Sequence, residues 1–106
     1  MNSKTQPVYA IVQLKIHDKD AYFNDYAAHL APIGQRHGVE RIAVSQEPEV
    51  IEGTYGKDNT IILKFPSRAE FDAWYSDPEY QPLKDIRFGA IDLSQSTIIL
   101  VPEFEA

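Results

Sequence analysis

The sequence predicts a single α+β domain whose four-stranded antiparallel sheet carries helices on one face. Strongly β-prone runs alternate with segments of helical spacing in the order β-α-β-β-α(α)-β, which is the split β-α-β, or ferredoxin-like, pattern. The chain of 106 residues has the length of one such domain. The predicted strands carry large apolar side chains on both faces, whereas a sheet with one wet face would alternate. We therefore expect two copies to stack face to face as a dimeric α+β barrel.

The opening segment predicts a strand followed by a long helix. Val8–Ile16 is a β-prone run, VYAIVQLKI. The helix is expected to begin near Asp18 or Asp20, because either side chain can accept a hydrogen bond from the first free amides. Pro32 lacks an amide donor and should kink or split the last turns, and Gly38 should end the helix. The apolar positions at helical spacing are Phe23, Tyr26 or Ala27, Leu30, and Ile33 or Gly34.

A β-hairpin is predicted in the middle of the chain. Residues 40–45 and 49–52 are predicted to form its first strand, with a bulge or bend at residues 46–48. Residues 53–59, GTYGKDN, are rich in turn formers and should connect the two strands. The returning strand is predicted over residues 60–65, TIILKF.

The second helical region is predicted to consist of two pieces followed by the last strand. Ser67 and Glu70 have the capping-box spacing, in which each side chain can satisfy a free amide of the other residue. Asp77-Pro78 should restart the helix, with Asp as the N-cap, and Pro82 should make the first turn irregular. The last strand is predicted over Thr97–Val101. The expected inward faces are Phe71, Trp74 and Tyr75 on the first piece and Tyr80, Leu83 and Arg87 on the second.

The composition and the net charge of the chain indicate its cellular location and the classes of partner that it is expected to lack. Residues 1–6 are predicted to form a disordered tail, and residues 7–106 the single domain. The chain has no cysteine, no apolar segment typical of a signal peptide and no apolar run near the ~20 residues that span a bilayer, so we expect a cytoplasmic protein without a membrane partner. The net charge of −6 argues against a nucleic-acid partner.

The chain resembles an uncharacterised family from Tyr9 to Val101. The resemblance implies the ferredoxin-like fold and a homodimer. It implies no function, because relatives in the superfamily include cofactor-independent monooxygenases, isomerases and haem-dependent enzymes. The resemblance rests on the YAIVQLKIHD strand, Tyr22, Tyr26, Gly38, the EVIEG segment ending at Gly53, Phe65-Pro66-Ser67, the run Trp74 to Tyr80, and Arg87. The family is the domain-of-unknown-function family 1330, within the dimeric α+β barrel superfamily.

The first helix offers a row of polar side chains to a cavity between helices and sheet. Tyr22, Tyr26 and His29 have the spacing i, i+4 and i+7 of one α-helical face. His29 is a candidate catalytic acid or base at neutral pH, and the two phenols are candidate donors to a ligand oxygen. The alternative is that both tyrosines are packing residues and His29 is a surface residue.

Arg87 is a candidate anion-binding residue on the second helical region. A guanidinium on the same face as Tyr80 could clamp a carboxylate or enolate. The alternative is a salt bridge from Arg87 to a sheet carboxylate such as Glu52. Trp74 is either a stacking residue of the site or part of the core. The predicted ligand-binding residues are therefore Tyr22, Tyr26, Trp74, Tyr80 and Arg87.

Two classes of function follow from these residues. In the first, the cavity binds or transforms a small organic acid or a phenol-like metabolite. In the second, the chain is a non-catalytic dimeric binding or interaction module, and the sequence does not choose whether the chain is an enzyme. No cofactor is predicted. No metal site is predicted either, because His17, His29 and His37 fit no ligand spacing.

Overall fold

The computed structural model describes residues 6–105 as an antiparallel sheet of four strands with helices packed on one face. The sheet order is β2-β3-β1-β4, so the two central strands are β1 and β3. This is the predicted ferredoxin-like arrangement, and the fold class is confirmed. The strands are β1, Val8–Leu14; β2, Glu40–Ser45; β3, Asn59–Phe65; and β4, Thr97–Pro102.

The predicted tail of residues 1–6 lies outside the described residues, apart from Gln6. The Gln6 side chain donates a hydrogen bond to the carbonyl oxygen of Glu103 at 2.7 Å, which ties the beginning of the described chain to its end. No helix in the part of the chain that the structure describes is long and apolar enough to cross a membrane.

The central strand β1 shows why the sheet has two apolar faces. Val8, Ala10, Val12 and Leu14 alternate along β1 and are buried against the helices. Ile11 points to the other face. It lies directly opposite an isoleucine on each neighbouring strand, Ile62 on β3 and Ile99 on β4. The outer face, which no helix among residues 6–105 covers, therefore carries a row of three isoleucines.

The first helical region is broken into three short pieces. A π-helical segment covers Ala21–Tyr26, a 3₁₀ turn covers Ala27–His29, and helix α1 covers Ala31–Arg36. The Asp18 carboxylate caps the beginning by accepting a hydrogen bond from the amide of Ala21 at 3.0 Å, as predicted. Pro32 lies in the first turn of α1, where its missing amide is tolerated, so the predicted split is confirmed.

Strand β2 differs from its prediction. Its irregularity lies between Arg41 and Ala43 instead of at residues 46–48, and residues 49–52 are not a strand. The last pair of the β2–β3 ladder is Ser45 with Thr60, so no stretch of β3 remains for residues 49–52 to pair with. Residues 46–58 therefore form one long connection, of which the predicted turn is the second half.

The second helical region begins as predicted but restarts later than predicted. Helix α2 covers Arg68–Tyr75, and the Ser67 hydroxyl accepts a hydrogen bond from the amide of Glu70 at 3.1 Å. Helix α3 covers Gln81–Ala90 instead of starting at Asp77-Pro78. A helix that started at Pro78 would require Pro82 to donate an amide that it lacks. In the observed helix Pro82 occupies the first turn, where no donor is needed.

The connection between α1 and β2 requires a glycine at position 38. Its φ of +70° is strained for any residue with a side chain, and a Cβ there would lie 2.9 Å from Cγ of Pro66. We expect Gly38→Ala to lower the free energy of unfolding by about 1–2 kcal/mol or more, as measured by urea denaturation. Gly89→Ala in α3 is the control, because a Cβ there meets nothing within 4 Å. It should raise stability by up to about 1 kcal/mol. Equal effects of the two changes would contradict this account of Gly38.

Candidate functional site

A cavity of about 480 Å³ lies between the first helical region and the inner face of the sheet. Most of its wall is apolar. Its exposed polar lining residues, Gln35, Arg41 and Gln46, lie on α1, on β2 and just after β2, so the mouth opens on that side. The main wall residues are Ala10, Val12, Ile61 and Leu63 from the sheet, Tyr22, Tyr26 and Leu30 from the first helical region, and Phe71 and Trp74 from α2.

Arg87 brings a buried positive charge to this cavity. Its side chain projects from α3, lines the cavity and is only 3% exposed. Its Nε and Nη2 atoms have no hydrogen-bond partner among the described residues. The predicted alternative, a salt bridge to Glu52, is wrong, because Glu52 is exposed in the connection after β2 and pairs with no cation among residues 6–105. Arginine keeps its charge at physiological pH, so Arg87 offers free donors to an anion.

Two aromatic rings lie close to the Arg87 guanidinium. Its guanidinium carbon lies 5.9 Å from the ring centre of Tyr26 and 4.9 Å from that of Phe88. Burial by itself would lower the pKa of Arg87, but the phenol groups of Tyr80 and Tyr26 raise this pKa above its ordinary value. The neighbours of the Arg87 charge are therefore aromatic rings and phenol oxygens instead of a carboxylate.

Two of the tyrosines beside Arg87 are hydrogen-bonded to each other, and the ring of a third lies next to them. The hydroxyl groups of Tyr26 and Tyr80 lie 2.8 Å apart and are buried. Tyr22 and Tyr26 line the cavity, with their ring centres 5.3 Å apart. Burial raises the pKa of Tyr22 to about 12 and the pKa of Tyr26 well above its ordinary value. Both phenols are therefore protonated at neutral pH and can act as hydrogen-bond donors but not as bases.

Trp74 and Tyr80 differ in their relation to the cavity. Trp74 is buried and lines the wall. Tyr80 is fully buried and lies behind the wall, with its ring centre 4.3 Å from that of Trp74. Of the predicted ligand-binding residues, four reach the cavity, and Tyr80 instead supports Tyr26 and Trp74 from behind.

His29 does not join the other predicted site residues. Its side chain is exposed and does not line the cavity. The prediction assumed α-helical spacing from Tyr22 onward. The segment is instead a wide π-helical turn followed by a tight 3₁₀ turn, and this change of pitch separates His29 from Tyr22 and Tyr26. His29 therefore has no place in the chemistry of the cavity.

Asn59 is a cavity residue that the sequence did not reveal. It is the first residue of β3, lines the cavity and is 2% exposed. The sequence placed it in a turn, because Asn follows a run of turn formers. Asn59, Ile61 and Leu63 occupy alternate positions, so their side chains point to the same face of a strand that begins at Asn59. This alternation was the available indication that the Asn59 side chain points inward. Its side-chain oxygen has no partner among the described residues.

Residues 7–104 match the family described as Domain of unknown function (DUF1330). The chain belongs to this family. No curated protein is significantly similar to this DUF1330 chain in sequence.

Solved structures share the fold of this DUF1330 chain. The protein of unknown function RPA0582 from Rhodopseudomonas palustris has a TM-score of 0.82 and 20% identity, over 99% of this chain and 88% of that one. SnoaB, a cofactor-independent oxygenase from Streptomyces nogalater, has a TM-score of 0.67 and 14% identity, over 95% and 96%. A dimeric protein of unknown function with a ferredoxin-like fold from Bacteroides fragilis has a TM-score of 0.59 and 14% identity, over 92% and 96%. At these identities the likeness shows the fold alone.

A cluster of charged groups joins the elements of the DUF1330 chain beside the cavity. His37, which follows α1, contacts Glu70 of α2 through Nδ1 at 3.1 Å and Asp77 through Nε2 at 2.8 Å. Arg36 donates to the same Asp77 oxygen at 2.8 Å. Among residues 6–105 no group of three or more His, Asp or Glu side chains is arranged to hold a metal ion. The hydrogen bonds of the cluster link α1, α2 and the turn before α3.

This cluster predicts how stability depends on pH. The hydrogen bonds to Asp77 and Glu70 raise the pKa of His37, so its contribution is complete below about pH 6.5 and is lost as pH rises through the raised value. His37 and Arg36 lower the pKa of Asp77, so that contribution is lost as the pH falls. We expect His37→Gln to flatten the decline in melting temperature between about pH 6 and pH 8. His29→Gln is the matched control and should leave the decline unchanged. Equal slopes in both variants would contradict the role of His37.

Proposed function

We propose that this domain binds a small organic anion with an apolar, aromatic body in the cavity between the helices and the sheet. The main support for this proposal comes from Arg87. Its guanidinium is buried in an apolar cavity, and two of its donor atoms have no partner among the described residues. A cavity of about 480 Å³ is in the range of small-molecule sites.

The chemistry of the wall supports an anion. A buried charge is unfavourable unless it is paired, and a carboxylate, enolate or phenolate can accept two hydrogen bonds from one guanidinium. Tyr22 and Tyr26, whose raised pKa values keep them protonated, would add donors to the same oxygens. Trp74 and the tyrosine rings offer flat apolar surfaces to a planar ring. Small aromatic acids and phenol-like metabolites combine both properties.

The cavity favours binding over proton-transfer catalysis. No His, Asp, Glu or Lys is among the described residues that line it, and its phenols are poor bases. SnoaB is a cofactor-independent oxygenase with the same fold, but fold alone does not assign chemistry. We therefore propose a binding role, in a cytoplasmic protein that binds neither nucleic acid nor membranes.

We also propose that the chain is a homodimer. Ile11, Ile62 and Ile99 form an apolar row on the sheet face that no helix covers, and Val101 on β4 is also exposed. Contact with the same face of a second copy would bury this row. The description of the Bacteroides fragilis protein as dimeric supports the proposal.

The binding proposal is tested by pairing an anion with its neutral isostere. Benzoate and benzamide have nearly the same shape, and only benzoate can accept both hydrogen bonds from Arg87 as an anion. We expect benzoate to raise the melting temperature at pH 7 in low-salt buffer, and benzamide to have a much smaller effect. At a concentration of 100 times Kd the stabilisation would be about 2.7 kcal/mol. Equal responses to both compounds, or no response to either, would contradict the proposal.

A further inference from the structure

The cavity contains a second buried polar group that an anion would not satisfy. The side-chain oxygen of Asn59, a residue that is only 2% exposed, is a buried acceptor without a partner among the described residues. Carboxylate oxygens are themselves acceptors and would repel it. Buried acceptors are nearly always hydrogen-bonded, so the ligand is the natural source of the missing donor.

Asn59 and Arg87 line the same cavity of about 480 Å³. Asn59 is the first residue of β3, Arg87 belongs to α3, and Tyr22 of the first helical region is a third lining residue. Burial raises the pKa of Tyr22, while the Asn59 side chain and the charge of Arg87 both act to lower it. Because Asn59 and Arg87 line one small cavity, a single ligand can contact both side chains.

We propose that Asn59 is a specificity-determining residue that accepts a hydrogen bond from a hydroxyl group of the ligand. The preferred ligands are then hydroxylated aromatic acids, whose anionic group binds Arg87 and whose hydroxyl group binds the oxygen of Asn59. This inference rests on the proposed function, because Arg87 has to hold the anionic group first. A site that is built to pair a hydroxyl group discriminates against an analogue that lacks it, because its own polar atom is then left unpaired.

The test compares benzoate with 3-hydroxybenzoate and 4-hydroxybenzoate by calorimetric titration. We expect at least one hydroxylated acid to bind the wild-type chain about tenfold more tightly than benzoate. Asn59→Leu, which keeps the size of the side chain and removes the acceptor, should abolish this preference, so that the three acids bind the variant with affinities within about twofold of one another. The side-chain amide resonances of Asn59 in the wild-type chain give a second measurement that does not depend on the folding of the variant. They should shift further with the hydroxylated acid than with benzoate, because only the hydroxylated acid donates a hydrogen bond to the amide oxygen.

The outcomes separate this inference from the proposed function. If benzoate and both hydroxybenzoates bind the wild-type chain equally, or if the preference survives in Asn59→Leu, the role of Asn59 is wrong and anion binding stands. Asn59 amide resonances that shift no further with the tighter acid than with benzoate also overturn it. If none of the three acids binds, the proposed function fails and this inference fails with it.

Discussion

Replacing Arg87 with methionine is expected to abolish measurable anion binding without unfolding the chain. Methionine fills most of the volume of the arginine stem and removes the charge. The loss of one partner from a buried charged hydrogen-bonded pair costs about 2–5 kcal/mol, which is a drop of about 30-fold or more in affinity. In the absence of ligand the buried charge has no carboxylate partner among residues 6–105. Its removal should therefore leave the free energy of unfolding unchanged or raise it.

Two further variants sharpen the Arg87 experiment. Arg68→Met is the matched control, since Arg68 is exposed on α2 and pairs with Asp72, so benzoate affinity should not change. Arg87→Lys keeps the charge but loses the planar fork and should give an intermediate affinity. The measurements are calorimetric titration with benzoate and urea denaturation of each variant without ligand. Unchanged affinity in Arg87→Met would contradict the site. A large loss of stability in that variant would show that Arg87 is a structural residue instead.

The second large effect is expected from a charge on the outer sheet face. Light scattering of the wild-type chain at micromolar concentration should give about twice the chain mass of 12.0 kDa. Ile11→Asp places a carboxylate among Ile62, Ile99 and the same row of the second copy. Burial of an unpaired charge costs several kcal/mol, so the variant should dissociate or unfold.

A control separates the interface from general surface effects. Leu93 is 56% exposed and lies in a short turn before β4, whereas Ile99 is 52% exposed on the outer face. Ile99→Asp should therefore dissociate the dimer, and Leu93→Asp should leave its mass unchanged. A wild-type chain that is monomeric at micromolar concentration would contradict the face-to-face dimer. So would an Ile99→Asp variant that keeps the full dimer mass.

The fold was predictable because local patterns agreed with one another. The β-prone runs, the Ser67 cap and Gly38 each determine structure within a few residues, and their order leaves one simple topology. The prediction was wrong where two local patterns competed. Asp77-Pro78 and Pro82 both indicate a helix start, and only the hydrogen bond that Pro82 cannot make decides between them. The second half of the predicted β2 was also wrong, because the predicted β3, residues 60–65, has too few residues to pair both 40–45 and 49–52.

The site was predictable only in part because it depends on helix pitch and on strand boundaries. Arg87 and Trp74 lie on regular α-helices, so their spacing placed them correctly in the cavity wall. His29 lies after a π-helical turn, which no spacing rule anticipates. Asn59 differs from a loop residue only because β3 begins at Asn59 and not at Thr60. A boundary shift of one residue thus decides whether a polar side chain lies in solvent or in the cavity.

A crystal structure of the chain with 4-bromobenzoate would be the most direct test of whether Arg87 binds an organic anion inside the cavity. The anomalous signal of bromine locates the ligand independently of the protein density. We expect one strong bromine peak inside the cavity, with the carboxylate oxygens about 2.7–2.9 Å from Nε and Nη2 of Arg87. Bromine outside the cavity, or a carboxylate that points away from Arg87, would show that Arg87 does not bind the anion.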